Sequence, residues 1–166
     1  MPRALALLLT AAAITWTVVL FAAPAAIERG GPGAAMGAVP IYASASRICH
    51  QQPERSFTFD GVQLPVCARC SGLYISGAVG ALLAWVPRRR REGVHDRRLL
   101  VICALPTALT WGLEFGGVAS FTNAARALAA VPLGAAAGWV FVRALADEAR
   151  AAERRRIPCP EPPAIS

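Results

Sequence analysis

Long uncharged apolar runs alternate along this chain with short segments rich in arginine, glycine and proline, and the lengths of the runs predict the fold. Residues 4–26 carry no charge. A helix needs about 20 apolar residues to cross a hydrocarbon core, so this run predicts a first membrane helix. A cleavable signal peptide competes with that reading, since Arg3 gives a basic start and Ala22, Ala23, Pro24, Ala25 and Ala26 offer small residues to a peptidase. The apolar core exceeds the ~7–15 residues of a typical signal, which favours the anchor. Residues 70–86 form a second uncharged run closing at Pro87, and its helix can begin near Val66 if Arg69 lies among the headgroups. Residues 99–119 form the third, interrupted only by Glu114 and kinked at Pro106. Residues 123–142, with Arg126 and Pro132, form the fourth and continue as a charged helix over 143–156. The predicted fold class is all-α: a multi-pass helical membrane protein with four transmembrane helices, or three if the first is removed as a signal.

Between the first two runs, residues 27–64 read as a polar connection. Gly30, Gly31, Pro32 and Gly33 break any helix, and Pro40, Pro53 and Gly61 restrict the backbone further along. Residues 39–47 suit a short helix or a segment on the bilayer surface, and no stretch shows strong strand alternation. Small residues recur at helical spacing in Gly72, Ser76, Gly80 and Ala84, in Gly112 and Gly116, and in Gly134 and Gly138. Such stripes let helices approach closely and predict a packed second helix and a tight antiparallel pairing of the third and fourth. The chain then divides into three units: 1–48, the first membrane helix and outer linker; 49–145, a core with the remaining three membrane helices; and 146–166, a cytoplasmic charged helix and disordered tail.

Composition agrees with a bilayer protein. Hydrophobic residues make up 55% and charged residues 16% of 166 positions, and the mean hydropathy is +0.46. The net charge of +7 resembles that of a nucleic-acid binder. The positive charge comes in blocks flanking apolar runs, with few aromatics interleaved, so nucleic acid is excluded as a partner and the blocks read as topology signals. All 17 basic residues are arginine. Arg3, Arg88 to Arg91, Arg97, Arg98, Arg143, Arg150 and Arg154 to Arg156 fall on one side, against Arg29, Arg47, Arg55 and Arg69 on the other. The positive-inside rule then puts both termini in the cytoplasm and residues 27–69 outside a cell membrane.

Candidate chemistry gathers in that outer segment. Cys49, His50, Cys67 and Cys70 combine the thiolate and imidazole ligands that zinc prefers, and the C-x-x-C spacing lets two sulfurs converge on one ion. Adjacent ligands such as Cys49 and His50 are uncommon; if His50 points away, three sulfurs and an open position remain. Zinc or another transition metal is the expected cofactor, in a structural, sensing or transport role. The alternative is thiol–disulfide exchange, because a C-x-x-C pair at a helix start has its thiol pKa lowered by the helix dipole, with Arg69 adding to the effect. A third reading is a structural or assembly role, with the small-residue stripes meeting another membrane protein or a second copy of the chain. Of the remaining cysteines, Cys103 reads as packed or lipid-facing and Cys159 as an incidental thiol.

Glu114, Asn123 and Arg126 form a candidate intramembrane polar cluster, with Tyr74 nearby. Ionisable groups at membrane depth are costly unless paired, so Glu114 and Arg126 should pair, either as a clamp on the hairpin or in a substrate or proton path. Arg55 and Arg69 are candidate anion contacts. The sequence names no catalytic residue.

Three segments together resemble a known family. They are C-H-Q-Q-P-E-R-S-F at residues 49–57, L-P-V-C-A-R-C-S-G-L-Y at 64–74, and W-G-L-E-F-G-G at 111–117 followed by N-A-A-R-A-L at 123–128. This pattern is similar to that of the domain of unknown function 2085 family of small prokaryotic membrane proteins. The family usually opens the third-helix motif with aspartate and glycine, where this chain has Trp111 and Gly112 and draws its acid from Glu114. The resemblance implies a multi-pass membrane protein and supplies no activity.

Overall fold

The computed structural model describes residues 2–30, 32–86 and 93–156. The arginines at 88–91, Cys159 and the proline-rich tail expected to be disordered lie outside the described residues. Helix α1 spans Pro2–Arg29, α2 Pro32–Ser46, α3 Ala68–Leu83, α4 Gly93–Phe115 and α5 Asn123–Arg156; strands β1 (Ser56–Phe59) and β2 (Val62–Cys67) lie between α2 and α3. The chain is an all-α, multi-pass membrane protein, as its apolar runs predict. Helices α1, α4 and α5 are long and apolar enough to cross a membrane. Helix α3 has 16 residues, which rise about 24 Å. Turns through Ala84, Trp85 and Val86 extend it, their N–H groups donating to Gly80, Leu82 and Leu83 carbonyls. Helix α5 runs unbroken from its apolar half into its charged half, and at the junction Arg143 is buried and donates to the Val86 carbonyl at 3.1 Å.

The centre of the bundle is the seam between α3 and α5. A Cβ at Gly72 would overlap the Ala127 carbonyl, one at Gly80 the Ala135 carbonyl, and one at Gly138 the Gly77 carbonyl. Partners advance together along both helices, so the two run parallel, with backbones close enough for dispersion contacts to act over the whole seam. Helix α1 crosses α3 in the opposite direction. Near its start Ala6 packs with Ala81 and Ala84 and Thr10 accepts the Trp85 indole N–H at 3.0 Å, while further along Thr17 donates to the Tyr74 carbonyl at 3.1 Å.

The expected tight pairing of the third and fourth membrane helices is not what forms. Gly134 and Gly138 are taken up by α3, and a Cβ at Gly112 would meet nothing within 4 Å. Helix α4 lies on α5 through polar contacts instead, among them Thr107 donating to the Ala129 carbonyl at 2.7 Å, and none of residues 95–115 is buried. Two helices compete for one glycine face of α5, and α3 takes it because its own small residues complement that face.

The connection between α1 and α3 is more ordered than its composition suggests. Gly30 ends α1, but α2 resumes at Pro32, where proline is tolerated in a first helical turn, and alanines carry it to Ser46. The segment read as lacking strand alternation contains a β-hairpin. Asp60 and Gly61 both have positive φ, at 50° and 83°, as a two-residue type I′ turn requires. Strand β2 hides its pattern because Leu64, Pro65 and Val66 are all buried. A strand covered on both faces shows no alternation.

Candidate functional site

At the hairpin end of the bundle, the motif after α2 turns the chain sharply. Gln51 adopts φ 50°, and its side-chain amide donates to the Tyr42 carbonyl at 3.0 Å and the Pro65 carbonyl at 2.8 Å. Gln63 donates back to the Gln51 carbonyl at 2.7 Å. These bonds fasten the end of α2 to β2 and set Cys49 opposite the end of that strand. Cys49 Sγ then accepts the Cys67 N–H at 3.1 Å. Cys67 is the N-cap of α3, so Cys70 lies one turn further on the same side, and their sulfurs share a hydrogen bond at 3.5 Å.

The three sulfurs of Cys49, Cys67 and Cys70 all lie within 4.8 Å of one another. Their wall is apolar: Leu20, Ala45 and Val66 are buried beside them, with Trp16, Phe21, Ile41 and Tyr74 packed around. The hydrogen bond from Cys70 holds the Cys67 thiol well below its ordinary range, at about 5, against the opposing effect of burial, with the first-turn N–H groups of α3 adding to the shift. The lowered pKa favours the thiolate form at Cys67, and the hydrogen bond from Cys70 is its largest cause. His50 is exposed and stands outside the three-sulfur group. Of the four expected ligands, three come together.

A second centre lies beside it, around the end of α4. Glu114 Oε1 accepts from Arg126 Nε at 2.8 Å and Oε2 from Arg69 at 2.6 Å. The Phe121 N–H adds a third bond at 3.3 Å. Arg126 also donates to Asn123 Oδ1 at 2.7 Å, and Asn123 donates to the Ser56 carbonyl at 2.9 Å. The carboxylate thus joins α3, α4 and α5, and Asn123 ties them to β1. The expected pairing of Glu114 with Arg126 near Asn123 is present. Arg69, a candidate for an external anion, contacts the protein's own carboxylate. Tyr74 lies elsewhere, edge-on to Trp16 at 6.3 Å between ring centroids, beside the thiols.

The loop after Glu114 is shaped by the end of its helix. Gly117 has φ 67°, the Val118 N–H donates to the Leu113 carbonyl at 2.9 Å and the Gly117 N–H to the Glu114 carbonyl at 3.1 Å. This is a Schellman ending, which satisfies the last carbonyls and turns the chain toward α5. It opens a cavity of about 440 Å³ lined by Arg55, Glu114, Gly117, Ser120 and Arg126 among others. Arg55 is exposed on its rim and makes no ion pair among the described residues.

Sequence reasoning missed Gln51, Gln63 and the joint role of Arg69. A glutamine pair spaced across a hairpin has no signature of its own. For Arg69 a signal existed: it is a charge at the mouth of an apolar run, on the side of the bilayer that the Glu114 end of the third helix approaches.

Comparisons with known proteins agree that the chain is a membrane protein. The model of a family described as predicted membrane protein, DUF2085, matches residues 49–140. That range includes the three clustered cysteines, the hairpin, and the residues around Glu114. An uncharacterised protein of Methanocaldococcus jannaschii is 32% identical over 87 residues, covering 52% of this chain and 56% of that protein. A second uncharacterised protein, from Methanothermobacter thermautotrophicus, is 32% identical over 88 residues, covering 52% of this chain and 78% of its own length. The chain thus spans little more than half of the first of these relatives. No solved structure matches it.

Proposed function

This chain belongs to the DUF2085 family of predicted membrane proteins, and on that footing we propose that Cys49, Cys67 and Cys70 bind a thiophilic metal ion, zinc or another transition metal. The observation that carries the reading is the convergence of three sulfurs within 4.8 Å of one another. Zinc–sulfur bonds of about 2.3 Å in tetrahedral array hold sulfurs about 3.8 Å apart, so small side-chain adjustments suffice. All-sulfur ligation also suits Cu(I). With His50 outside the group, a fourth position is left to solvent or an incoming ligand, which fits sensing or transport better than a closed structural site. The arginine distribution supports an extracytoplasmic position for this end of the bundle, with both termini in the cytoplasm.

The test is elemental analysis of detergent-purified protein, freed of metal from affinity resin, beside the Cys67→Ser/Cys70→Ser double variant. About one equivalent of metal in the wild type, lost in the variant, supports the reading. Absence of metal from both overturns it.

One observation favours a second reading, thiol–disulfide exchange. The Cys67 and Cys70 sulfurs stand 3.5 Å apart with the Cys67 pKa lowered by that contact, and a third thiol is adjacent to resolve a mixed disulfide. Alkylation after quenching separates the two readings. A Cys67–Cys70 disulfide that opens with added reductant supports exchange, whereas thiols permanently reduced under oxidising preparation exclude it.

A further inference from the structure

The cavity at the turn between α4 and α5 has a charge balance that nothing in the metal reading uses. Arg55 and Arg126 line the cavity together with a single carboxylate, Glu114, whose second oxygen is held by Arg69. That carboxylate is already engaged by two guanidinium groups and the Phe121 N–H. It therefore has little left to offer a cation, and the cluster keeps an excess of positive charge. The donors outnumber the acceptors as well. Arg55, which lines the cavity, has no carboxylate partner among the described residues, so its guanidinium donors are available to an oxyanion that enters.

The location narrows the ligand further. The cavity lies where α4 ends at Phe115 and α5 begins at Asn123, which is the depth at which a membrane helix meets the headgroups. Exposed Trp111 and Phe115, near the end of the helix that supplies Glu114, stack with centroids 5.2 Å apart, in keeping with the aromatic belt of that boundary. A volume of about 440 Å³ admits a phosphate with a glycerol-sized substituent.

We propose that this cavity binds a phosphate-type oxyanion, with Arg55 as the principal contact and Arg126 at its back. Guanidinium groups match the geometry of phosphate oxygens and are favoured where such anions must be held. The same chemistry is offered by the headgroup of an anionic phospholipid and by free phosphate. The two sources differ in affinity, because only the lipid also gains from the apolar flank of α4.

Arg55 is the residue to test, since it is exposed and has no structural ion pair to break. Calorimetric titration in uncharged detergent would compare inorganic phosphate, dihexanoylphosphatidylglycerol and phosphate-free dihexanoylglycerol. Saturable binding of phosphate or phosphatidylglycerol, weakened about tenfold in Arg55→Ala and partly restored in Arg55→Lys, supports the site. Preference for phosphatidylglycerol over phosphate identifies the lipid headgroup, and equal affinity identifies the free ion. The site is overturned if neither phosphate compound binds, if dihexanoylglycerol binds as well as phosphatidylglycerol, or if Arg55→Ala binds as the wild type does. Metal content unchanged in Arg55→Ala keeps this result independent of the cysteine site.

Discussion

Two polar centres share the hairpin end of the bundle, and they are built on opposite principles. Around Glu114 almost every acceptor is engaged, with each carboxylate oxygen held by an arginine and one of them by a backbone N–H as well. Among the thiols, three sulfurs have one another and backbone N–H donors, inside a wall of apolar side chains. The first arrangement spends its one carboxylate on joining three helices and keeps only arginine donors to spare. The second leaves its sulfur ligands unspent, which is what a metal site needs. Arg69 connects them, since it sits between Cys67 and Cys70 at the start of α3 and sets its guanidinium on Glu114.

The contrast is broken most severely at the carboxylate. Glu114→Ala leaves two mostly buried guanidinium groups unpaired, and loss of one member of such a cluster costs about 3–5 kcal/mol. A large fall in thermal midpoint in detergent is the expected outcome, with Glu114→Gln less damaged because it keeps an acceptor. The thiol centre should answer differently. If the thiols hold metal as proposed, Cys49→Ser should lower it as strongly as Cys67→Ser, from about one equivalent to near zero, with a much smaller effect on the metal-free fold. His50→Ala retains the metal, which elemental analysis checks; loss of metal there would bring the imidazole back into the ligand set.

A smaller effect separates the two glycine stripes. Gly80→Leu forces apart the α3–α5 seam and should destabilise by about 1–3 kcal/mol. Gly112→Leu, on the open face of α4, should stay within about 0.5 kcal/mol. Paired detergent melts of the two variants decide whether α4 is as loosely held as its contacts indicate. The smallest effect is in pH. In metal-free, reduced protein the Cys67 thiol is already ionised above about pH 5. Its alkylation should stay nearly constant from about pH 6 to 8, where an ordinary thiol with pKa about 8.5 slows nearly tenfold per unit of acidification. The stabilisation linked to this depressed pKa is present above the unfolded value and is lost as pH falls through about 5.

Much of the scaffold was legible because hydrocarbon is an exacting solvent. Uncharged runs in α1, α4 and α5 have few structural options, and Glu114 and Arg126 needed partners wherever they lay in the bilayer. The C-x-x-C spacing also carried its own geometry, bringing Cys67 and Cys70 together at a helix start. What failed to show was set by choices between partners. Both α3 and α4 offered small residues to α5, and periodicity alone cannot say which helix wins. Strand β2 lost its alternation by being covered on both sides, so only Asp60 and Gly61 marked the hairpin. His50 comes directly after a cysteine in sequence, but the left-handed turn at Gln51 and its side-chain bonds fix which neighbour faces inward.

The ion-pair cluster also bears on how the chain enters its membrane. Segments emerge from a ribosome in order, so Arg69 arrives well before the carboxylate that neutralises it and must wait at the headgroup boundary. Glu114 and Arg126 arrive close together on the two arms of one hairpin. Because their charges cancel, the α4–α5 hairpin carries this pair at no net charge, and the Arg69–Glu114 bond joins the later hairpin to the earlier α3.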